Sequence, residues 1–196
     1  MTIEVYVDGF CGPINPGGIG TYGFVVRRGG TVLFEGMGTV GEGATNNVAE
    51  YTAAIQALKT LLSTGLSYAT VEIRSDSELL VNQLRGDYGV YSERILPLYQ
   101  EALRLLRQFE EKGVRVRIRW VPREENRRAD ALARKAYEEY CEQHPEVAQK
   151  YAPYLATEKQ RELLDRLGIS VSKWVSKRAA SRLIGGVLEE EREEGG

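Results

Sequence analysis

Ile3, Val5 and Val7 alternate with Glu4, Tyr6 and Asp8, the period-two pattern of a half-buried strand. That strand is expected to end on Asp8, because Gly9 and a turn rich in Gly, Pro and Asn follow at once. TYGFVVRR (21–28) and TVLFEGMG (31–38), joined by Gly29-Gly30, read as a hairpin. The period then changes. Tyr51, Ala54, Ile55, Leu58, Leu61 and Leu62 recur at three and four, which predicts a helix over 47–63, closed by Gly65 and carrying Glu50 in its first turn. ATVEIRS (69–75) is a second strand that runs into an acid, Asp76, with a short helix over 78–84 behind it. A helix over 95–112 tolerates Pro97 in its opening turn, where no N–H is needed, and Gly113 stops it. VRVRIRWV (114–121) alternates as the last strand, and a helix over 126–140 carries Asp130 near its start.

This order describes an α/β fold: a five-stranded mixed sheet, an antiparallel meander plus parallel strands, flanked by helices. Right-handed crossovers bring strand 69–75 beside strand 3–8 in parallel, so Asp8 and Asp76 emerge at one edge, with Glu50 and Asp130 aimed at it. Gathered carboxylates repel, and a protein that gathers them without cations must protonate some or bind metal. Magnesium favours a few carboxylates, waters and substrate phosphates. Two such ions can clamp the attacking and leaving oxygens of a phosphoryl displacement, so the chemistry implied is metal-assisted phosphodiester cleavage. Singly, each acid has a plainer reading: Asp8 as a turn former, Asp76-Ser77 as a helix cap, Glu50 and Asp130 as acids that favour the helix dipole.

Composition narrows the class without naming it. A chain of 196 residues, 42% hydrophobic, suits one domain plus an appendage. The net charge of −2 sets up no global attraction to nucleic acid or membrane. Locally, residues 112–134 hold eight Lys or Arg against three acids, and residues 155–186 hold seven against three. Each is a candidate polyanion patch or a solvated face, and Arg115, Arg117 and Arg119, alternating on one side of a strand, are open to both readings. Cys11 and Cys141 are too few and too far apart for a zinc site or a disulfide framework. With neither a basic and apolar leader nor a run of membrane-span length, the chain is expected to be cytoplasmic and to work off the membrane, as a monomer.

Four segments carry a resemblance. VDGFCGPINPGG, GATNNVAEYTAAIQAL, VEIRSDSELLVNQL and WVPREENRRADALA resemble, in order and spacing, the signature segments of type 1 ribonuclease H of the archaeal and bacterial kind. The resemblance implies a ribonuclease H-like fold over residues 1–142. It implies an endonuclease that cuts the RNA strand of RNA/DNA hybrids to 5′-phosphate and 3′-hydroxyl products, with two Mg2+ (or Mn2+) ions. Asp8, Glu50, Asp76 and Asp130 match the metal-binding acids. Asp8 is then shared by both ions, Asp130 serves the ion that activates water, and Glu50 and Asp76 serve the ion at the leaving oxygen. Glu50 also touches the ribose 2′-hydroxyl, the group that separates RNA from DNA. Asn15, Asn46 and Asn47 match minor-groove contacts, Thr45 a DNA phosphate contact, and Asn126 an asparagine with a substrate or loop role. A catalytically silent binding module and another nuclease of the same fold stay open as alternatives. Proofreading exonucleases, however, carry Asp-x-Glu on the first strand, whereas Gly9 and Phe10 follow Asp8.

The chain departs from that pattern in three places. Many members place a histidine in the loop before the fourth acid; here the loop is VPREEN, and the lone histidine, His144, lies beyond the last helix of the domain. Some members carry a basic, tryptophan-rich protrusion after the second helix; here the segment is RGDYGVYSER. The third departure is the carboxy-terminal part. Residues 143–156 are expected to be a linker, 157–186 a small helical module opened by a Thr157/Gln160 capping box, and 187–196 a solvated acidic tail, with the second helix of the module stopping at Gly185-Gly186.

Overall fold

The structure, a computed structural model, describes residues 2–194. Its five strands are β1 (Thr2–Gly12), β2 (Gly18–Arg28), β3 (Thr31–Ala44), β4 (Thr70–Ser75) and β5 (Arg115–Trp120). They form one sheet in the order β3-β2-β1-β4-β5, with β2 and β3 antiparallel and β4 parallel to both β1 and β5. Helices α1 (Asn46–Ser63), α2 (Glu78–Arg85), α3 (Leu96–Glu111) and α4 (Arg127–Gln143) complete this part.

Alternation along the strands sorts the helices between two faces. Val5 and Val7 of β1 and Phe24 and Val26 of β2 point into the main core with Tyr51 and Leu58 of α1 and Leu105 and Phe109 of α3. Tyr6 and Val25 point the other way, against Ala129 and Leu132 of α4. A β-carbon on Gly23 of β2 would lie 2.7 Å from the Ala133 nitrogen, so a glycine is what lets α4 come this close. Thr21 on the same strand donates to the Ala133 carbonyl at 2.6 Å.

β1 does not end at Asp8. It runs on through Gly9 and Phe10 to Gly12, which corrects the expected strand end. What stops at this level is the neighbour. The β1–β4 ladder runs only from Thr2↔Thr70 to Tyr6↔Arg74, so β1 continues past it beside β2. Asp8 therefore stands just beyond the parallel ladder, level with the place where β4 delivers Asp76. Glu50 also shifts slightly: α1 begins at Asn46, leaving no acid in its first turn.

The chain divides into two compact units, residues 1–11 with 15–137, and residues 12–14 with 138–196. In the second, residues 143–156 are not a linker. They form α5 (Pro145–Lys150) and a 3-10 turn (Ala152–Tyr154), with Val147, Ala148, Tyr151 and Ala156 buried. Thr157 and Gln160 make the expected capping box at the start of α6 (Glu158–Arg166). Leu164 of that helix packs with Ala156 and Ala180. The last helix, α7 (Lys177–Glu194), does not stop at Gly185-Gly186, because neither glycine adopts the left-handed conformation that ends a helix. Most of the expected acidic tail is thus helical, and residues 195–196 lie outside the described part. Cys11 and Cys141 are both buried, and neither takes part in a disulfide. No helix among the described residues is long and apolar enough to cross a membrane.

Candidate active site

Gly9 decides how α1 meets β1. A β-carbon there would collide with the backbone of Ala49 and Glu50, so its absence lets the helix rest on the strand and lower Glu50 onto Asp8. Both acids are buried, Asp8 at 5% exposure and Glu50 at 7%. The two carboxyl groups lie close enough to perturb each other's titration. The Gly9 N–H donates to Asp8 Oδ1 at 2.9 Å, and Glu50 Oε2 has no partner at all. Burial, with the negative charges of Asp76 and Asp130 nearby, pushes the Asp8 carboxyl from 3.8 up to about 8. Burial and the charges of Asp8 and Asp76 hold Glu50 well above the usual carboxylate range.

Asp76 follows the last residue of β4 directly, and Ser77 caps α2 behind it. Two residues fix its position. Asn126 donates its Nδ2 to Asp76 Oδ1 at 2.8 Å and to the Val7 carbonyl at 2.9 Å, while its backbone carbonyl accepts the Asp130 N–H at 3.1 Å. At 1% exposure Asn126 thus sits behind the carboxylates and ties together the segments that carry three of them, rather than facing solvent. Trp120 donates its indole N–H to the Asp76 carbonyl at 3.2 Å.

Asp130, in the first turn of α4, faces the group but is held by Arg134, whose Nε lies 2.9 and 3.0 Å from its two oxygens. Arg134 in turn stacks over Phe10. This restraint accords with a further finding: no three His, Cys, Asp or Glu side chains among the described residues stand together as a ready metal cluster. Asp8 feels the charges of Asp76 and Asp130, and Glu50 those of Asp8 and Asp76, yet Asp130 is engaged by Arg134 and Asp76 by Asn126. The donor set nevertheless fits a hard cation. Every donor is a carboxylate oxygen, one of them is buried without a partner, and burial together with neighbouring negative charge raises the pair at its centre.

The remaining expected residues lie at the surface near the start of α1. Thr45 caps that helix, its Oγ1 accepting from the Val48 N–H at 3.2 Å. Asn15 Oδ1 accepts from the Asn46 N–H at 2.9 Å, and Asn15, Asn46 and Asn47 are exposed. Arg115, Arg117 and Arg119 are exposed on the edge strand, and Arg119 reaches Glu72 at 3.7 Å. The VPREEN loop forms a 3-10 turn (Arg123–Glu125). His144, in the second unit, lies beside Tyr140 with ring centres 4.5 Å apart. Sequence reasoning passed over Gly9, Arg134 and Trp120. Only Arg134 left a signal, its spacing of four from Asp130 on one helix.

Comparison with known proteins places this geometry. The family model described as "Reverse transcriptase-like" matches residues 8–136. The bifunctional protein Rv2228c of Mycobacterium tuberculosis is 41% identical over 124 residues, covering 62% of this chain and 32% of its own length. The chain thus spans about a third of the length of its mycobacterial relatives. Ribonuclease HI of Halobacterium salinarum is 35% identical over 137 residues, covering 70% of this chain and 65% of the relative. The crystal structure of LC11-RNase H1 in complex with an RNA/DNA hybrid superposes with a TM-score of 0.64 at 33% identity, covering 70% of this chain and 98% of that one.

Proposed function

The chain belongs to the reverse transcriptase-like family and, within it, groups with the type 1 ribonucleases H; from that premise we propose that it is a metal-dependent endonuclease that cuts the RNA strand of RNA/DNA hybrids. One observation carries this reading: Asp8 and Glu50 are both buried, with Asp76 arriving beside them from the end of β4, and Glu50 Oε2 is left without a hydrogen-bond partner. So costly an arrangement is built for a cation. Asp8, Glu50, Asp76 and Asp130 would hold it, Mg2+ or Mn2+, with two ions in our reading. When bound, the divalent cations supply positive charge to the scissile phosphate and activate water.

The chain's own residues do the rest. A cation must compete with protonation of the raised Asp8 and Glu50 carboxyls, so loading is easier at higher pH. Asn126 keeps one oxygen of Asp76 directed inward, and Arg134 must release Asp130 before that acid can join the set. In this reading Glu50 also touches the ribose 2′-hydroxyl, which restricts cutting to RNA. Asn15, Thr45, Asn46 and Asn47 offer amides and a hydroxyl to the groove and backbone of the hybrid. The products are a 5′-phosphate and a 3′-hydroxyl.

The test is cleavage of end-labelled RNA in an RNA/DNA hybrid, set against an all-DNA duplex of the same sequence, in magnesium and in manganese. Internal RNA fragments from the hybrid alone are expected. Equal cutting of both duplexes, or none in either metal, refutes the proposal, and binding without cutting favours the silent-module reading.

A further inference from the structure

Trp120 is the last residue of β5, paired in register with Ser75, and is 45% exposed. The polar end of its indole is committed, because the N–H donates to the carbonyl of Asp76. The apolar body is left open at the rim of the acid cluster. An indole pays for exposure with unburied apolar surface, and a ring fixed by its N–H has little rotamer freedom left to lose on contact. A nucleic acid whose phosphate reaches Asp76 brings its sugars and bases within one residue of that ring.

Resting on the proposed function, we infer that Trp120 is a substrate-contact and positioning residue: its N–H holds the backbone of Asp76, and its exposed ring packs on the nucleic acid beside the scissile phosphate. The two roles separate by substitution. Trp120→Phe keeps a ring and removes the N–H; Trp120→Ala removes both. The chain has two tryptophans, and Trp174 lies in the second unit with its N–H on Glu142 at 2.9 Å. A Trp174→Phe chain therefore makes Trp120 the sole indole reporter.

The experiment titrates RNA/DNA hybrid into full-length Trp174→Phe protein in EDTA. Indole emission is followed together with the anisotropy of a fluorophore on the hybrid. Emission is expected to be quenched and to saturate with the same midpoint as the anisotropy. Trp120→Ala is expected to weaken binding about fivefold or more without changing the slope of affinity against salt, because no phosphate contact is lost. Trp120→Phe is expected to bind nearly as well and to lose about two- to tenfold in kcat in magnesium, the worth of one hydrogen bond. Hybrid that binds with silent emission, and with Trp120→Ala affinity within twofold of wild type, overturns the inference while leaving the function intact. Binding with full quenching but no cleavage refutes the nuclease and leaves the contact standing. An unchanged anisotropy refutes both.

Discussion

Replacing Asp8 by Asn in the metal-free protein is expected to stabilise it, although the replaced group is central to the site. Asn keeps an oxygen for the Gly9 N–H and cannot ionise. In the wild type, the Asp8 carboxyl is raised from 3.8 to about 8. A raised carboxyl favours folding fully below its unfolded value, and this contribution is lost as pH climbs through the folded value. The window is therefore pH 4 to 8. Each pH step of one costs about 1.4 kcal/mol inside that window, so at pH 7 the wild type has given up on the order of 4 kcal/mol. Burial still raises Glu50 in Asp8→Asn, so the substitution removes the Asp8 part of the pH dependence and leaves the Glu50 part in both proteins. Urea unfolding in EDTA should show Asp8→Asn and wild type alike near pH 4 and diverging in favour of Asp8→Asn up to pH 8. Millimolar magnesium should close the gap by stabilising the wild type alone. A gap that does not widen with pH, or an Asp8→Asn protein less stable at pH 8 in EDTA, refutes the reasoning.

Other substitutions probe how the acids are placed. Gly9→Ala should push α1 away from β1, destabilising the fold by about 1–3 kcal/mol and abolishing cleavage; a thermal melt and a hybrid assay read both. Asn126→Ala leaves the Val7 carbonyl and Asp76 without their buried donor, with a cost of about 1–3 kcal/mol in stability. Its kcat should fall while KM holds, because Asn126 has no exposed surface to offer the substrate. Arg134→Ala should lower the magnesium concentration for half-maximal activity, since Asp130 is then left with only the 3.9 Å contact to Arg123; an unchanged requirement speaks against the release step.

The strands, helices and four acids were legible because their signals are local: alternation, helical spacing, and acids placed next to element ends. The Thr157/Gln160 cap was legible for the same reason. What escaped depends on distant partners. Nothing in the sequence around Asp8 shows that β1 runs on to Gly12 while its ladder with β4 stops at Tyr6, and this, rather than a turn at Gly9, is what frees Asp8 from the ladder. Residues 143–156 read as a linker because Tyr151, Pro153 and Tyr154 look like a loop, but they form α5 and a 3-10 turn with Val147, Ala148 and Tyr151 buried. Gly185-Gly186 read as a stop, yet a glycine ends a helix only in a left-handed conformation that these two do not take. Asn126 resembled a substrate contact, and only the folded chain shows it turned inward to Asp76 and Val7.

The account stands or falls on whether these carboxylates cut RNA. The most direct measurement is a single-turnover assay of Asp76→Asn against wild type on an RNA/DNA hybrid labelled at each RNA end, with binding followed in parallel. Wild type should yield fragments ending in 5′-phosphate and 3′-hydroxyl, while Asp76→Asn binds the same hybrid and leaves the RNA whole. Fragments from Asp76→Asn at the wild-type rate would contradict the account.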